Sequence, residues 1–179
     1  KLVKQTDPKA VLIENVRGLL DPKFKEYRQK ISKKLEDMGY IVKWALLHAA
    51  HFGVPQLRPR TLMVAMREPY AKYFNWPTGD SENLVSVGDA LFELISSNGW
   101  KKAAAWKVKA SRVAPTLVGG SKKHGGADLG PTRARAAWLT LGVDGGGLVE
   151  SAPPPDFEGA PRLTVQMAAT IQGFPKDWK

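Results

Sequence analysis

The sequence predicts an α/β fold: part of a sheet covered by helices, followed by a small, loop-rich, mainly β lobe. Three observations carry this reading. The first seventy residues alternate short apolar runs with one helical pattern, in the order strand, helix, strand, loop, strand. The composition changes after Met66. From Trp100 to about Pro161 the chain is rich in Gly, Lys, Arg and Pro, periodicity is weak, and Gly119-Gly120, Gly125-Gly126 and Gly145-Gly146-Gly147 mark turns.

The elements follow in order. Ala10-Val11-Leu12-Ile13 reads as a buried strand whose carboxyl end carries the polar pair Glu14-Asn15. Asp21 is placed to cap a helix with Pro22 at its first position. Phe24, Tyr27, Ile31, Leu35 and Met38 then recur at helical spacing until Gly39 stops the run. Tyr40 to Leu47 and Thr61 to Ala65 are the second and third strands, and in such sheets ligands sit at the carboxyl ends of the strands. Trp76-Pro77 and the Asp80 to Asn83 stretch form a connector, and Val87 to Ile95 a short helix. Pro153-Pro154-Pro155 is a stiff link. Thr164 caps a last helix with Met167, Ala168 and Ile171 on one face, ended by Gly173 and Pro175.

Composition narrows the function. With 43% hydrophobic and 25% charged residues, the 179-residue chain can build a core, which excludes wholesale disorder. No apolar run approaches the roughly 20 residues of a bilayer span. The net charge of +10 favours a polyanionic partner through counterion release. The sequence has no Cys, so it contains no disulfide framework, thiolate metal site or thiol nucleophile, and it fits a cytoplasmic setting. His124 has no partner at metal-ligand spacing, and no zinc site is expected. Because the first residue is Lys rather than Met, a processed or truncated fragment is expected.

Four constellations can carry chemistry. Glu14-Asn15-Val16 lies at a strand end, where a carboxyl group can accept from the exocyclic amine of a base and, if protonated, donate to a ring nitrogen. Taken alone, the tripeptide is a weak signal, and a strand-end Glu that caps a loop is the more usual reading. In Gly53-Val54-Pro55-Gln56-Leu57-Arg58-Pro59-Arg60, two arginines held by prolines project to one side of an extended segment and can clamp a phosphate or carbonyl. Pro115-Thr116-Leu117-Val118, Gly119-Gly120-Ser121-Lys122-Lys123-His124 and the neighbouring Arg133 and Arg135 combine glycine, which lets backbone approach a phosphate or base edge, with cations that supply salt-dependent attraction. Neither a dinucleotide-binding glycine pattern nor a Walker pattern occurs there. Finally, Arg162-Leu163-Thr164 and Gln172-Gly173-Phe174-Pro175 bracket the last helix.

In this order the segments resemble the later motifs of cytosine-C5 DNA methyltransferases. Ile13 to Val16 is similar to the family's E-N-V motif, and His51 to Arg60 to its G-V-P-Q-x-R-x-R motif. Trp76-Pro77 with Val85 to Leu94 resembles its variable connector, and Ala114 to Leu117 the threonine-led element of its target recognition domain. Arg162 to Pro175 resembles the R-x-L-T…Q-G-F-P motif. The resemblance implies the C-terminal part of a Rossmann-like, S-adenosylmethionine-dependent methyltransferase sheet over residues 1–73, a target recognition domain over 74–156, and a supporting helix over 157–179. It implies a cytosine flipped out of duplex DNA, attacked at C6 by a cysteine and methylated at C5. Glu14 then holds the base at N3 and the exocyclic amine, Asn15 supports the loop, Arg60 reaches O2, and Arg58 braces the nucleophile loop or a phosphate. Gln56 bonds backbone at the same corner and is counted with Thr116, Leu117, Ser121, Lys122, Lys123, His124, Arg133 and Arg135 among the DNA-binding residues.

The family's Pro-Cys-Gln nucleophile segment and cofactor-binding loop are missing from these 179 residues. The resemblance therefore implies a fragment or subunit completed by a partner carrying them, with S-adenosylmethionine bound by the complete enzyme rather than by this chain, and an apolar sheet edge left open for association. The competing expectation is a basic nucleic-acid-binding module without catalysis.

Overall fold

The computed structural model describes residues 1–118 and 127–175. The chain divides into two compact units, Lys1–His48 with Pro59–Gly79 and Ala49–Arg58 with Asp80–Lys179. The three segments expected from sequence thus group as two units. The first boundary moves to residues 79 and 80, the excursion Ala49–Arg58 belongs with the second unit, and so does the last helix.

The first unit is built on three strands, β1 (Ala10–Val16), β2 (Tyr40–His48) and β3 (Pro59–Arg67), in the order β1-β3-β2. Both outer strands run antiparallel to β3. Short helices α1 (Leu2–Thr6) and α3 (Glu68–Ala71) flank the sheet. Helix α2 (Lys25–Glu36) covers one face and seats Leu35 and Ile31 against Tyr40, Met63, Ala65, Val11 and Trp44. Trp44 Nε1 donates to Ser32 Oγ of α2 at 3.0 Å. The expected helix start differs in detail. Asp21 makes no side-chain cap, and Pro22–Phe24 is a 3-10 turn that precedes α2. Arg28 pins this turn instead by donating to the carbonyls of Leu19 and Asp21.

The second unit holds the larger core. Helices α4 (Val87–Ile95), α5 (Ala103–Lys109), α6 (Thr132–Thr140) and α7 (Val165–Ile171) bury Leu91, Ile95, Trp106, Trp138, Met167 and Ile171 together. Gly88 lets α4 approach α5, because a Cβ there would meet the Lys107 carbonyl at 2.5 Å. Strands β4 (Leu148–Val149) and β5 (Leu163–Thr164) form a two-residue parallel pair. The α/β class stands, but among the described residues this lobe is helical rather than mainly β. Ala103-Ala104-Ala105-Trp106 and Arg133-Ala134-Arg135-Ala136-Ala137-Trp138 are strong helix formers, and each helix buries one Trp. A single large apolar residue per short helix leaves almost no periodic signal.

The last helix keeps its expected cap, with Thr164 Oγ1 accepting from the Met167 amide at 3.1 Å, and it ends at Gly173 with φ +85°. No described helix is long and apolar enough to cross a membrane.

Candidate active site and recognition segment

The register of the first sheet places the key pair. Glu14 lies opposite Leu62, and Val16 opposite Arg60. Because β1 and β3 are antiparallel, the carboxyl end of β1 meets the amino end of β3. Residues facing each other across strands share a face, and so do residues two apart. Glu14, Leu62 and Arg60 therefore point to one face, the one α2 does not cover. Their side chains meet as an ion pair, with Arg60 Nε 2.5 Å from Glu14 Oε1. Arg60 Nη1 also donates to the Pro59 carbonyl at 3.0 Å, which leaves its remaining N–H groups for another acceptor. The guanidinium is mostly shielded, with side-chain exposure of 23%, while the carboxylate is 53% exposed. A half-exposed ion pair of this kind is weak in stability terms and can open.

Asn15 lies opposite Thr61, on the other face from Glu14, and its Oδ1 accepts from the Val16 amide at 2.8 Å. Arg58 precedes β3 with φ +30°, a left-handed conformation that is strained for a side-chain-bearing residue, and its carbonyl accepts from the Ala49 amide at 3.3 Å.

In the second unit Gln56 is wholly buried. Its Nε2 donates to the Ile171 carbonyl at 2.9 Å and its Oε1 accepts from the Leu117 amide at 3.1 Å. The expectation that Gln56 contacts DNA is at odds with this burial, since both ends of its amide are occupied by backbone. Bonding to backbone is the role the resemblance implied for Gln56, whereas counting it among the DNA-binding residues was not part of that role. Thr116 and Leu117 are half-buried, and Val118 is exposed. Ser121, Lys122, Lys123 and His124 lie outside the described residues. Arg133 and Arg135 are both exposed on α6, but two residues on a helix turn through about 200°, so they flank α6 on different sides.

Arg162 is tied to Asp144: its Nε donates to Asp144 Oδ2 at 2.7 Å. That bond, with a further one from the Gly146 amide, holds the Asp144 carboxyl below the usual carboxylate range. Pro153, Pro154, Phe157 and Pro161 line a cavity of about 460 Å³ beside this pair. Among the described residues there is no group of three or more potential metal ligands.

The model of the C-5 cytosine-specific DNA methylase family matches residues 1–127. The chain belongs to this family. It is 52% identical over 171 residues to the type II methyltransferase M.NaeI of Lentzea aerocolonigenes, across 93% of this chain and 41% of that protein. It is 47% identical over 182 residues to the type II methyltransferase M.NgoMIV of Neisseria gonorrhoeae, across 100% of this chain and 57% of that protein. The type II methyltransferase M1.HphI of Haemophilus parahaemolyticus is 37% identical over 91 residues, 51% of this chain and 24% of that protein. The chain thus spans roughly two- to three-fifths of the length of the two relatives that match it throughout. Methyltransferases of this kind draw their methyl group from S-adenosylmethionine. Neither strand-to-helix link described in the first unit is a glycine-rich turn: Arg17–Phe24 holds one glycine, and α3 follows β3 directly.

Proposed function

We propose that this chain is the base-holding and sequence-reading part of a DNA cytosine-C5 methyltransferase, completed by a segment or partner that carries the cysteine nucleophile and the methyl-donor site. The observation that supports it best is the Glu14–Arg60 pair on the open sheet face. The pairing edge of cytosine presents the exocyclic amine, N3 and O2 in a row. A carboxyl group takes the amine as a donor and, once protonated, donates to N3, while a guanidinium beside it donates to O2. The 2.5 Å contact puts these two groups at neighbouring positions, as that row requires. Charge that builds on the ring as a nucleophile adds at C6 is stabilised by these contacts more than the ground state is, so they lower the barrier rather than merely hold the base.

Thr116 and Leu117, the cations Lys122 and Lys123, and Arg133 and Arg135 supply the DNA-facing part of the reading. The missing half docks on the open face and edge of the sheet, where Leu12, Val16 and Ile41 are uncovered.

Co-expression with the N-terminal half of a type II methyltransferase relative tests this, with DNA methylation as the readout. In the reconstituted enzyme Glu14→Gln lowers the methylation rate by at least about a hundredfold, with little change in DNA affinity. Equal losses in rate and affinity contradict the role given to Glu14. DNA binding without methylation across several such halves favours a non-catalytic binding module.

A further inference from the structure

We infer that Gln56 is a positioning residue for sequence recognition: it does not touch DNA but fixes where the recognition segment 114–118 leaves the core. This rests on the reading above, in which Thr116 and Leu117 face the duplex.

The path of residues 114–118 runs outward. Ala114 is buried, Pro115 to Leu117 are half-buried and Val118 is 51% exposed. The buried end is clamped by backbone, because the Leu57 amide donates to the Ala114 carbonyl at 2.9 Å and the Ala114 amide to the Pro55 carbonyl at 3.1 Å. Beyond that clamp, the Leu117 amide is held by Gln56 Oε1. The other end of the same amide group serves the Ile171 carbonyl, one of the last carbonyls of α7, which has no partner within its own helix. One buried side chain thus ties the last half-buried residue of this segment to the end of the last helix. It belongs to the Ala49–Arg58 excursion, whose final residue is the strained Arg58.

A residue that only filled space could be apolar. Gln56 is needed because its amide is at once donor and acceptor, matching one buried carbonyl and one part-buried N–H. Removing the acceptor frees Leu117, so Thr116 and Leu117 lose a single defined position relative to a base edge. Selectivity then falls while salt-dependent, sequence-independent attraction persists, since that depends on cations elsewhere.

The test uses the full chain. A duplex preferred by the chain is selected from a randomised pool, and the ratio of its affinity to that of a scrambled duplex is measured. Gln56→Met keeps the shape and removes both bonds, and the ratio is expected to fall about tenfold with the salt slope unchanged. Gln56→Glu supplies a pH arm. Burial opposite a carbonyl raises that carboxyl's pKa, and its protonated form donates to Ile171 and accepts from Leu117 as the amide does. Its ratio, relative to wild type, is therefore low near about pH 8 and recovers near about pH 5. Should Gln56→Met fail to fold, the pH arm decides. Met167→Ala, a core change in the same unit, is the control and keeps the ratio.

Retention of the wild-type ratio by Gln56→Met, a Gln56→Glu ratio equal to wild type at both pH values, or an equal loss in Met167→Ala overturns the inference. A wild-type chain that selects no sequence overturns the reading of 114–118 as DNA-facing, and this inference falls with it.

Discussion

The two units bury their apolar residues very differently. Among the described residues the helical unit seals a core of sixteen buried hydrophobic residues, with Trp138, Leu163, Met167 and Ile171 essentially inaccessible. The sheet unit fully buries four in its cluster, Leu35, Tyr40, Met63 and Ala65, all on the side that α2 covers. On the other side Leu12 is 67% exposed, Val16 59% and Ile41 44%, and β1 is an outer strand of the sheet. A sheet needs cover on both faces when both carry apolar residues. The helical unit therefore has the core of a finished domain, whereas the sheet unit buries Val64 on the face that carries Glu14 and Arg60 but leaves Leu12, Val16 and Ile41 exposed there.

The largest effect that sharpens this contrast is expected in the sealed core. Leu163→Ala should cost about 3–5 kcal/mol, read as a large fall in the denaturant midpoint of the helical unit. A loss under about 1 kcal/mol would mean that the core is loosely packed. On the open face the effect moves from stability to assembly. Leu12→Asp should leave the melting of this chain within about 0.5 kcal/mol of wild type, yet abolish co-purification with a complementary N-terminal half. A destabilised chain that still assembles would invert the comparison.

Smaller effects probe the buried polar atoms. Thr61 Oγ1 is buried on the α2 side with no hydrogen-bond partner. Thr61→Val should therefore stabilise the sheet unit by about 1 kcal/mol in a thermal melt. A loss of stability would show that the hydroxyl is partnered after all. The smallest effect is electrostatic. Asp144 is held below the usual carboxylate range first by its bond from Arg162 and next by the Gly146 amide. A carboxyl whose folded pKa is depressed contributes stability above its unfolded value and loses it as pH falls through the folded one. The helical unit should weaken below about pH 4, and Asp144→Asn should make that decline slightly shallower while lowering the melting temperature a little at neutral pH. An unchanged acid profile removes Asp144 from the balance.

Much of the sheet unit was legible because its signals are local and dense. The strands at Ala10, Tyr40 and Thr61 announce themselves by apolar runs, and Gly39 punctuates the helix before the second. The capping by Thr164 and the stop at Gly173 were legible for the same reason. The helical character of residues 103–140 was not. Short helices that each bury one Trp carry no repeating face, and the surrounding Gly and Pro weigh more in composition than two alanine-rich stretches do. Asp21 as a cap also failed, because the chain enters α2 through a 3-10 turn pinned by Arg28, a bond between residues that no local rule connects.

By itself the sequence determined the family, the order of its motifs and the residue types available for chemistry. An acid, a pair of arginines and a glutamine occupy particular positions, and side-chain identity is a covalent fact that folding cannot alter. Only the tertiary structure decided which of them meet. Glu14 and Arg60 are forty-six residues apart in the chain and touch because β3 returns antiparallel beside β1. Gln56 turns inward because two backbone groups, at Leu117 and Ile171, are left without partners by distant parts of the chain. Strand register and the satisfaction of buried backbone are global conditions, met only when all the pairings form together, so no local stretch of sequence contains them.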